Sequence, residues 1–137
     1  MMKVGIIGAG SIGFTRGIVR DILSVPEFKD NVEFAFTDIN RRNLDMVFQL
    51  CKRDIDSNGS RAGISATLNR REAVRGAKYV FCVVRVGGLE GFQTDIDIPL
   101  KYGIDQCVGD TLCAGGIMYA QRGIPALLGF CKDISEV

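Results

Sequence analysis

An open α/β fold, with parallel strands joined through helices, is the architecture that this sequence predicts. Two observations carry it. Short apolar runs alternate with stretches of helical spacing, and a glycine cluster follows the first apolar run at once. Parallel neighbours cannot be joined by a tight hairpin and need a crossover, so the alternation implies a parallel sheet. A length of 137 residues fits one domain and supports a core without disulfides or metals.

The elements follow in order. Residues 3–7 form a short, nearly all-apolar run, which suits a strand buried on both faces. Residues 11–25 place Ile12, Ile18, Val19, Ile22, Leu23 and Val25 near helical spacing, and Pro26 is expected to stop that helix. Residues 32–37 are the second strand. Asn40 is a good N-cap for a helix with a buried stripe of Leu44, Val47, Cys51 and Ile55, ended by turn formers from Ser57 to Ser60. Residues 64–68 make a weaker third strand, followed by a helical turn around Glu72. Residues 79–84, rich in β-branched and aromatic types, are the fourth strand, broken by Gly87 and Gly88. Residues 92–102 predict part of a helix with Pro99 inside it or at its edge. Residues 117–134 predict a helix with a kink or restart at Pro125. A fifth strand near 106–108 remains open. A full dinucleotide fold has two halves and about six strands. The chain therefore reads as the first half of a Rossmann-like sheet and the beginning of the second.

Composition narrows the function classes. Seventeen Lys and Arg face 16 Asp and Glu, so the net charge of +1 offers no clustered excess for nucleic acid or an acidic membrane. No run approaches the ~18 apolar residues of a membrane span, and the glycine-rich start is no signal peptide. The five Cys residues form no framework, which points to reduced thiols and a cytoplasmic location. Cys51, Cys82 and Cys131 are expected in core positions. Cys107 and Cys113 have no His nearby, so no zinc site is expected. The chain contains no His at all, so neither a Ser-His-Asp triad nor a Cys-His pair can be completed within it.

The residues that carry chemistry begin at Gly8-Ala9-Gly10-Ser11-Ile12-Gly13, a G-x-G-x-x-G between a strand and a helix. Gly8 permits the tight turn, Gly10 a close approach to a pyrophosphate, and Gly13 close packing of helix on sheet. Helix N-terminal N–H groups would hold the phosphates. Asp38 ends the second strand, where a carboxylate accepts adenine-ribose hydroxyls and repels a 2′-phosphate; its other reading is a cap for the next helix. Arg41 and Arg42 could hold the 2′-phosphate of NADP or form a solvated helix start, and Asp38 tips the choice to NAD. Arg85 and Gly87, beyond the fourth strand, either line a cofactor crevice or form an ordinary surface turn. Asp110 and Thr111 precede Gly115-Gly116 in a second glycine loop, where capping alone would also explain them.

Several blocks together resemble the N-terminal part of glycoside hydrolase family 4. They are the opening Lys3-Val4-Gly5-Ile6-Ile7-Gly8-Ala9-Gly10-Ser11, Thr37-Asp38-Ile39, Arg85-Val86-Gly87-Gly88, Ile98-Pro99-Leu100-Lys101-Tyr102-Gly103, Asp110-Thr111 with Gly115-Gly116-Ile117, and Arg122-Gly123-Ile124-Pro125. The resemblance covers essentially the whole chain, in the family's order. Its dinucleotide blocks are shared with lactate and malate dehydrogenases.

The resemblance implies a hydrolase of O-glycosyl bonds in carbohydrate metabolism, one of the NAD-dependent exceptions to two-carboxylate glycoside hydrolysis. In that family a hydride passes from C3 of the sugar to NAD, and a divalent metal, usually manganese, polarises the C2 and C3 oxygens. A base removes the C2 proton, the aglycone is eliminated, water adds at C1, and the hydride returns. Carried over, Gly8, Gly10, Ser11, Ile12 and Gly13 match the pyrophosphate loop, Asp38 the ribose acid, and Arg85 and Gly87 the loop over the cofactor. Asp110 matches a family acid near the sugar, the candidate catalytic residue. No metal ligand is assigned, since the family's Asn-Pro motif, metal-binding Cys and His, and Tyr base all fall beyond residue 137. Two departures stand out. Cys113-Ala114 replace a Gly-Pro, and Phe92 stands where phospho-glycosidase members carry a phosphate-binding Arg. The expectation is the NAD-binding portion, residues 1–137, of an α-galactosidase-like enzyme acting on a non-phosphorylated hexoside, with the parent a homo-oligomer. Alone, the chain is expected to bind NAD weakly or not at all and to hydrolyse nothing. A lactate- or malate-type dehydrogenase fragment and a non-catalytic NAD-binding module are the alternatives.

Overall fold

A computed structural model of the chain describes residues 1–106 and 112–137. The described elements run β1 (Met2–Ile7), α1 (Ile12–Leu23), α2 (Pro26–Lys29), β2 (Val32–Thr37), α3 (Arg41–Ser57), β3 (Gly63–Thr67), α4 (Arg70–Val74), β4 (Tyr79–Cys82), α5 (Gly88–Leu100) and α6 (Ala114–Ser135). They fall into two compact units, Met1–Val84 with Asp133–Val137, and Arg85–Lys132.

The first unit is a parallel sheet of order β3-β2-β1-β4. Its register pairs Val4 with Phe34 and Ile6 with Phe36. These side chains share one sheet face, and the core cluster they form includes Val19 and Leu23 of α1 and Leu44, Val47, Cys51 and Ile55 of α3. The opposite face is covered by the short α4: a Cβ placed on Gly5 would lie 3.6 Å from Val74 and from Ala77. A sheet covered on both sides explains why β1 from Val4 and β2 from Phe34 read as apolar stretches rather than alternating ones. Asn40 caps α3 through its side chain, which accepts the Asn43 N–H, and the four residues of the expected stripe are all buried. A fork–fork ion pair between Arg16 and Asp54, at 2.6 and 2.9 Å, joins α1 to α3. Arg70 and Arg71 tie α4 to Asp133, and Arg71 also reaches Glu136.

Some expectations are corrected. Pro26 does not simply stop a helix at residue 25; α1 ends at Leu23 and Pro26 opens α2 at its first position, where a missing N–H costs nothing. The fourth strand spans 79–82 rather than 79–84, and the Val83 N–H continues toward β1 by donating to the Ile7 carbonyl. Its residues are not core: Tyr79 and Phe81 are exposed, because among the described elements β4 lies at the edge of the sheet. Cys82 is accordingly on the surface; Cys131 of α6 is exposed as well, and of the three only Cys51 is buried as expected. Residue 106 is not in a strand, and residues 107–108 lie outside the described ones.

The second unit contains α5 and most of α6. Pro99 lies inside α5, so the Asp95 carbonyl, one turn back, has no N–H to accept. The Gln106 side-chain amide donates to that carbonyl at 2.8 Å, and its oxygen accepts the Gly115 N–H at 3.2 Å. Gly115 is required there: a Cβ would sit 2.1 Å from the Gln106 nitrogen and 2.6 Å from the Asp95 carbonyl oxygen. Pro125 neither ends nor restarts α6, which continues through it. Ile117, Ile124, Leu127 and Leu128 are exposed along this helix.

Candidate functional site

The loop between β1 and α1 is built around two glycines that nothing larger could replace. Gly8 has φ +83°, and a Cβ there would lie 2.1 Å from the Val83 carbonyl oxygen, where β4 ends. The turn is thus pressed against the neighbouring strand, between β1 and β4. In a sheet of this order the strand order reverses there, and such switch points open crevices at the carboxyl ends of the strands. Gly10 is constrained from the other side: a Cβ would meet Asp38 Oδ2 at 2.8 Å and Asn43 Cβ at 2.9 Å. Gly13 departs from its expected role. A Cβ there meets nothing within 4 Å, so close packing on the sheet is not what its lack of a side chain serves. The stripe of α1 that is buried is Thr15, Val19 and Leu23.

Asp38 holds two loops together. Its Oδ2 accepts the Gly10 N–H and its Oδ1 accepts the Asn40 N–H, each at 2.8 Å. The acid does not itself cap α3, since Asn40 does. It braces the residue that caps it, and fixes the glycine loop at the same time. Arg41 is drawn away by Asp45, one turn along α3, at 2.9 and 3.1 Å. At the start of α1, Ser11 makes no side-chain cap bond and the first turn has no acid. Neither the cap nor a carboxylate therefore answers the positive end of the helix dipole, which suits an anion held by backbone N–H groups. Ser11, Ile12 and Gly13 lie partly or largely exposed around this end. Below them Thr15 Oγ1 is buried without a hydrogen-bond partner.

The other expected residues belong to the second unit. Arg85 is exposed, with its guanidinium 4.7 Å from the Phe92 ring centroid and 5.2 Å from that of Tyr119. Gly87 has φ +91° and precedes α5. Behind it lies a pair that sequence reasoning did not single out. Asp95 is fully buried, and Arg122 donates to both its oxygens, at 2.8 and 2.5 Å. These hydrogen bonds hold the Asp95 carboxyl below the usual carboxylate range against the opposing effect of burial. A signal was available, for Asp95 lies on the same helical stripe as Phe92 and Pro99, and a charge on a buried stripe requires a partner. Asp110 and Thr111 lie outside the described residues.

Among the described residues there is no group of three His, Cys, Asp or Glu side chains able to hold a metal, so they do not fit a metal site. No described helix is long and apolar enough to cross a membrane.

The chain's relatives share this architecture. A model described as family 4 glycosyl hydrolase matches residues 3–137. The alpha-galactosidase of Rhizobium meliloti (strain 1021) is 58% identical over 98% of this chain and 27% of that protein. The alpha-galactosidase of Bacillus subtilis (strain 168) is 33% identical over 100% of this chain and 32% of that protein. Among solved structures, the 6-phospho-beta glucosidase from Thermotoga maritima, with NAD and glucose-6-phosphate, superposes with TM-score 0.87 at 30% identity, over 99% of this chain and 31% of that one. The same enzyme with manganese, NAD+ and glucose-6-phosphate gives the same TM-score. The chain thus spans about a third or less of the length of these relatives. With the family model matched along nearly its whole length and a Rossmann-like sheet beneath it, the chain belongs to glycosyl hydrolase family 4.

Proposed function

We propose that residues 1–137 form the NAD-binding portion of a cytoplasmic, homo-oligomeric, α-galactosidase-like glycosidase that acts on a non-phosphorylated hexoside. In this reading the backbone N–H groups at Ser11, Ile12 and Gly13 hold the pyrophosphate, Gly10, whose own N–H goes to Asp38, lets it approach closely, and Gly8 keeps the turn clear of Val83. Asp38, already fixed by the Gly10 and Asn40 N–H groups, offers its remaining lone pairs to the ribose hydroxyls. The same negative charge disfavours a 2′-phosphate, and Arg41, engaged by Asp45, does not offset it. Arg85 and Gly87 serve the cofactor loop, and Asp110 the sugar, as hydrogen-bond partner or acid. Bound NAD+ supplies a reversible hydride acceptor, which lets an elimination replace direct displacement at the glycosidic carbon. The divalent metal belongs to the parent enzyme, and no step is assigned to it through the described residues.

The observation that carries this reading is the Asp38 bridge, which ties the acid to the loop it would serve. Two facts support the non-phosphorylated, galactosidase-like branch: the 58% identity to an alpha-galactosidase, and an aromatic Phe92 stacked on Arg85 instead of a second cation. Titration of the chain with NAD+, NADP+ and ADP-ribose tests the cofactor assignment. Weak NAD+ binding that Asp38→Ala removes is expected, with NADP+ weaker still. Tighter binding of NADP+ than of NAD+ would overturn it. The chain alone is expected to leave a nitrophenyl α-galactoside intact with NAD+ and Mn2+ present, and cleavage under those conditions would show that these residues are a complete enzyme.

A further inference from the structure

The Asp95–Arg122 pair is a costly way to join two helices. Replacing a buried ion pair by apolar residues of similar volume is often neutral or stabilising, because both charges must be desolvated. An apolar pair of similar volume could join the same two helices. What it could not do is what Arg122 does with the rest of its side chain. Its Nε donates a long hydrogen bond, 3.4 Å, to the Val86 carbonyl. Its guanidinium lies so close to the loop that a Cβ on Gly87 would be 3.0 Å from Nε, and one on Gly91 would be 3.2 Å from Nη2. Asp95 fixes the two terminal nitrogens, and the third nitrogen then fixes the backbone. The segment so held is the one that carries Arg85, whose own side chain lies against Phe92 of α5 and Tyr119 of α6.

We propose that Asp95 and Arg122 are positioning residues that hold the turn from Arg85 to Gly88 in shape for ligand binding, with the planar fork of arginine as the essential part. The proposal rests on the reading above that Arg85 and Gly87 contact the cofactor. The fork matters because a lysine at 122 would keep the charge opposite Asp95 but could not also reach Val86 and lie flat between two glycines.

The test uses this chain in two variants, Arg122→Lys and the double apolar replacement Asp95→Leu with Arg122→Met. Amide exchange at Gly88 and Gly91 is followed by NMR, because those N–H groups bond to the Arg85 and Gly87 carbonyls within the turn. Affinity for NAD+ and for ADP-ribose is measured by shift titration. Both variants are expected to exchange about tenfold or more faster at Gly88 and Gly91, with Leu44 in the first unit unchanged. Their NAD+ affinity should fall to that for ADP-ribose, which lacks the nicotinamide. Unchanged exchange at the two glycines overturns the proposal, and so does faster exchange with the NAD+ preference retained. If the double variant fails to fold, Arg122→Lys decides alone. If the unaltered chain binds NAD+ and ADP-ribose equally, the cofactor reading of Arg85 and Gly87 fails. The exchange rates then still report whether the pair holds the turn.

Discussion

Alanine at the first and third glycines of the loop should have opposite effects, although the motif treats both as required. Gly8→Ala forces an L-residue to φ +83°, which costs about 1–2 kcal/mol. It also drives a methyl to within 2.1 Å of the Val83 carbonyl oxygen and 2.8 Å of Val84 Cγ1, so the ends of β1 and β4 must separate. Overpacking of this kind costs about 1–3 kcal/mol. The sum, about 2–5 kcal/mol, is a large share of a typical total of ~5–15 kcal/mol. At several degrees per kcal/mol for a chain of this size, the unfolding midpoint should fall by on the order of 10 °C. Gly13→Ala meets open space in the first turn of α1, without a positive φ, and gains helix propensity of up to about 1 kcal/mol. Urea unfolding followed by circular dichroism compares the two directly. If Gly13→Ala loses as much stability as Gly8→Ala, the third glycine packs on the sheet after all. If Gly8→Ala stays within about 0.5 kcal/mol of the parent, the close approach to Val83 is not a constraint.

Other outcomes follow from the same geometry. Hydrogen bonds from Arg16, Arg122 and Arg70 hold the carboxyls of Asp54, Asp95 and Asp133 below their ordinary value. Groups shifted this way contribute stability that is present above the unfolded-state pKa, about 3.9, and is lost as pH falls through the lower folded value. Thermal midpoints should therefore drop steeply below about pH 4, and Asp54→Asn should flatten that slope; an equal slope in the variant would remove the Arg16–Asp54 pair from the account. Burial pushes the Cys51 thiol up to about 11. At pH near 8, iodoacetamide should label the exposed Cys131 and spare Cys51 until urea is added, as mass spectrometry of the peptides would show. Early labelling of Cys51 would mean that the contact of α3 with the sheet opens readily.

Much of the first unit was legible because its signals are local or periodic. The α3 stripe follows from a 3.6-residue repeat, and its start from an Asn whose side chain accepts a first-turn N–H. The glycine loop and Asp38 were placed by their positions after β1 and at the end of β2. Burial at β4 was not legible. A run such as Tyr79-Val80-Phe81-Cys82 states that the residues suit a sheet, not that a neighbour lies on its outer side. The same limit misplaced Cys131 on α6. Pro99 obscured α5 for a different reason: the carbonyl that proline leaves bare is satisfied by the side chain of Gln106, beyond the end of the helix, which no periodicity announces. Asp95 and Arg122 were missed because each is an ordinary charged residue until the fold brings them together.

Asp38 shows why a ribose acid and a structural brace are not rival readings. Its two oxygens each accept a backbone N–H at 2.8 Å, so an asparagine there would turn an NH2 group toward either Gly10 or Asn40. One donor would then face another, and a partly buried N–H left without an acceptor costs about 1–3 kcal/mol. Asp38→Asn is nearly isosteric, so its effect reports hydrogen bonding and charge rather than shape. If Asp38 served only the ligand, this change would weaken NAD+ binding and leave unfolding untouched. If it were only a brace, stability would fall and the preference for NAD+ over NADP+ would persist. The bridge predicts both losses at once: a lower urea midpoint without ligand, and a narrowed difference between the two cofactors as the negative charge disappears. Unchanged stability would refute the bridge, and an unchanged cofactor preference would refute the role of the charge.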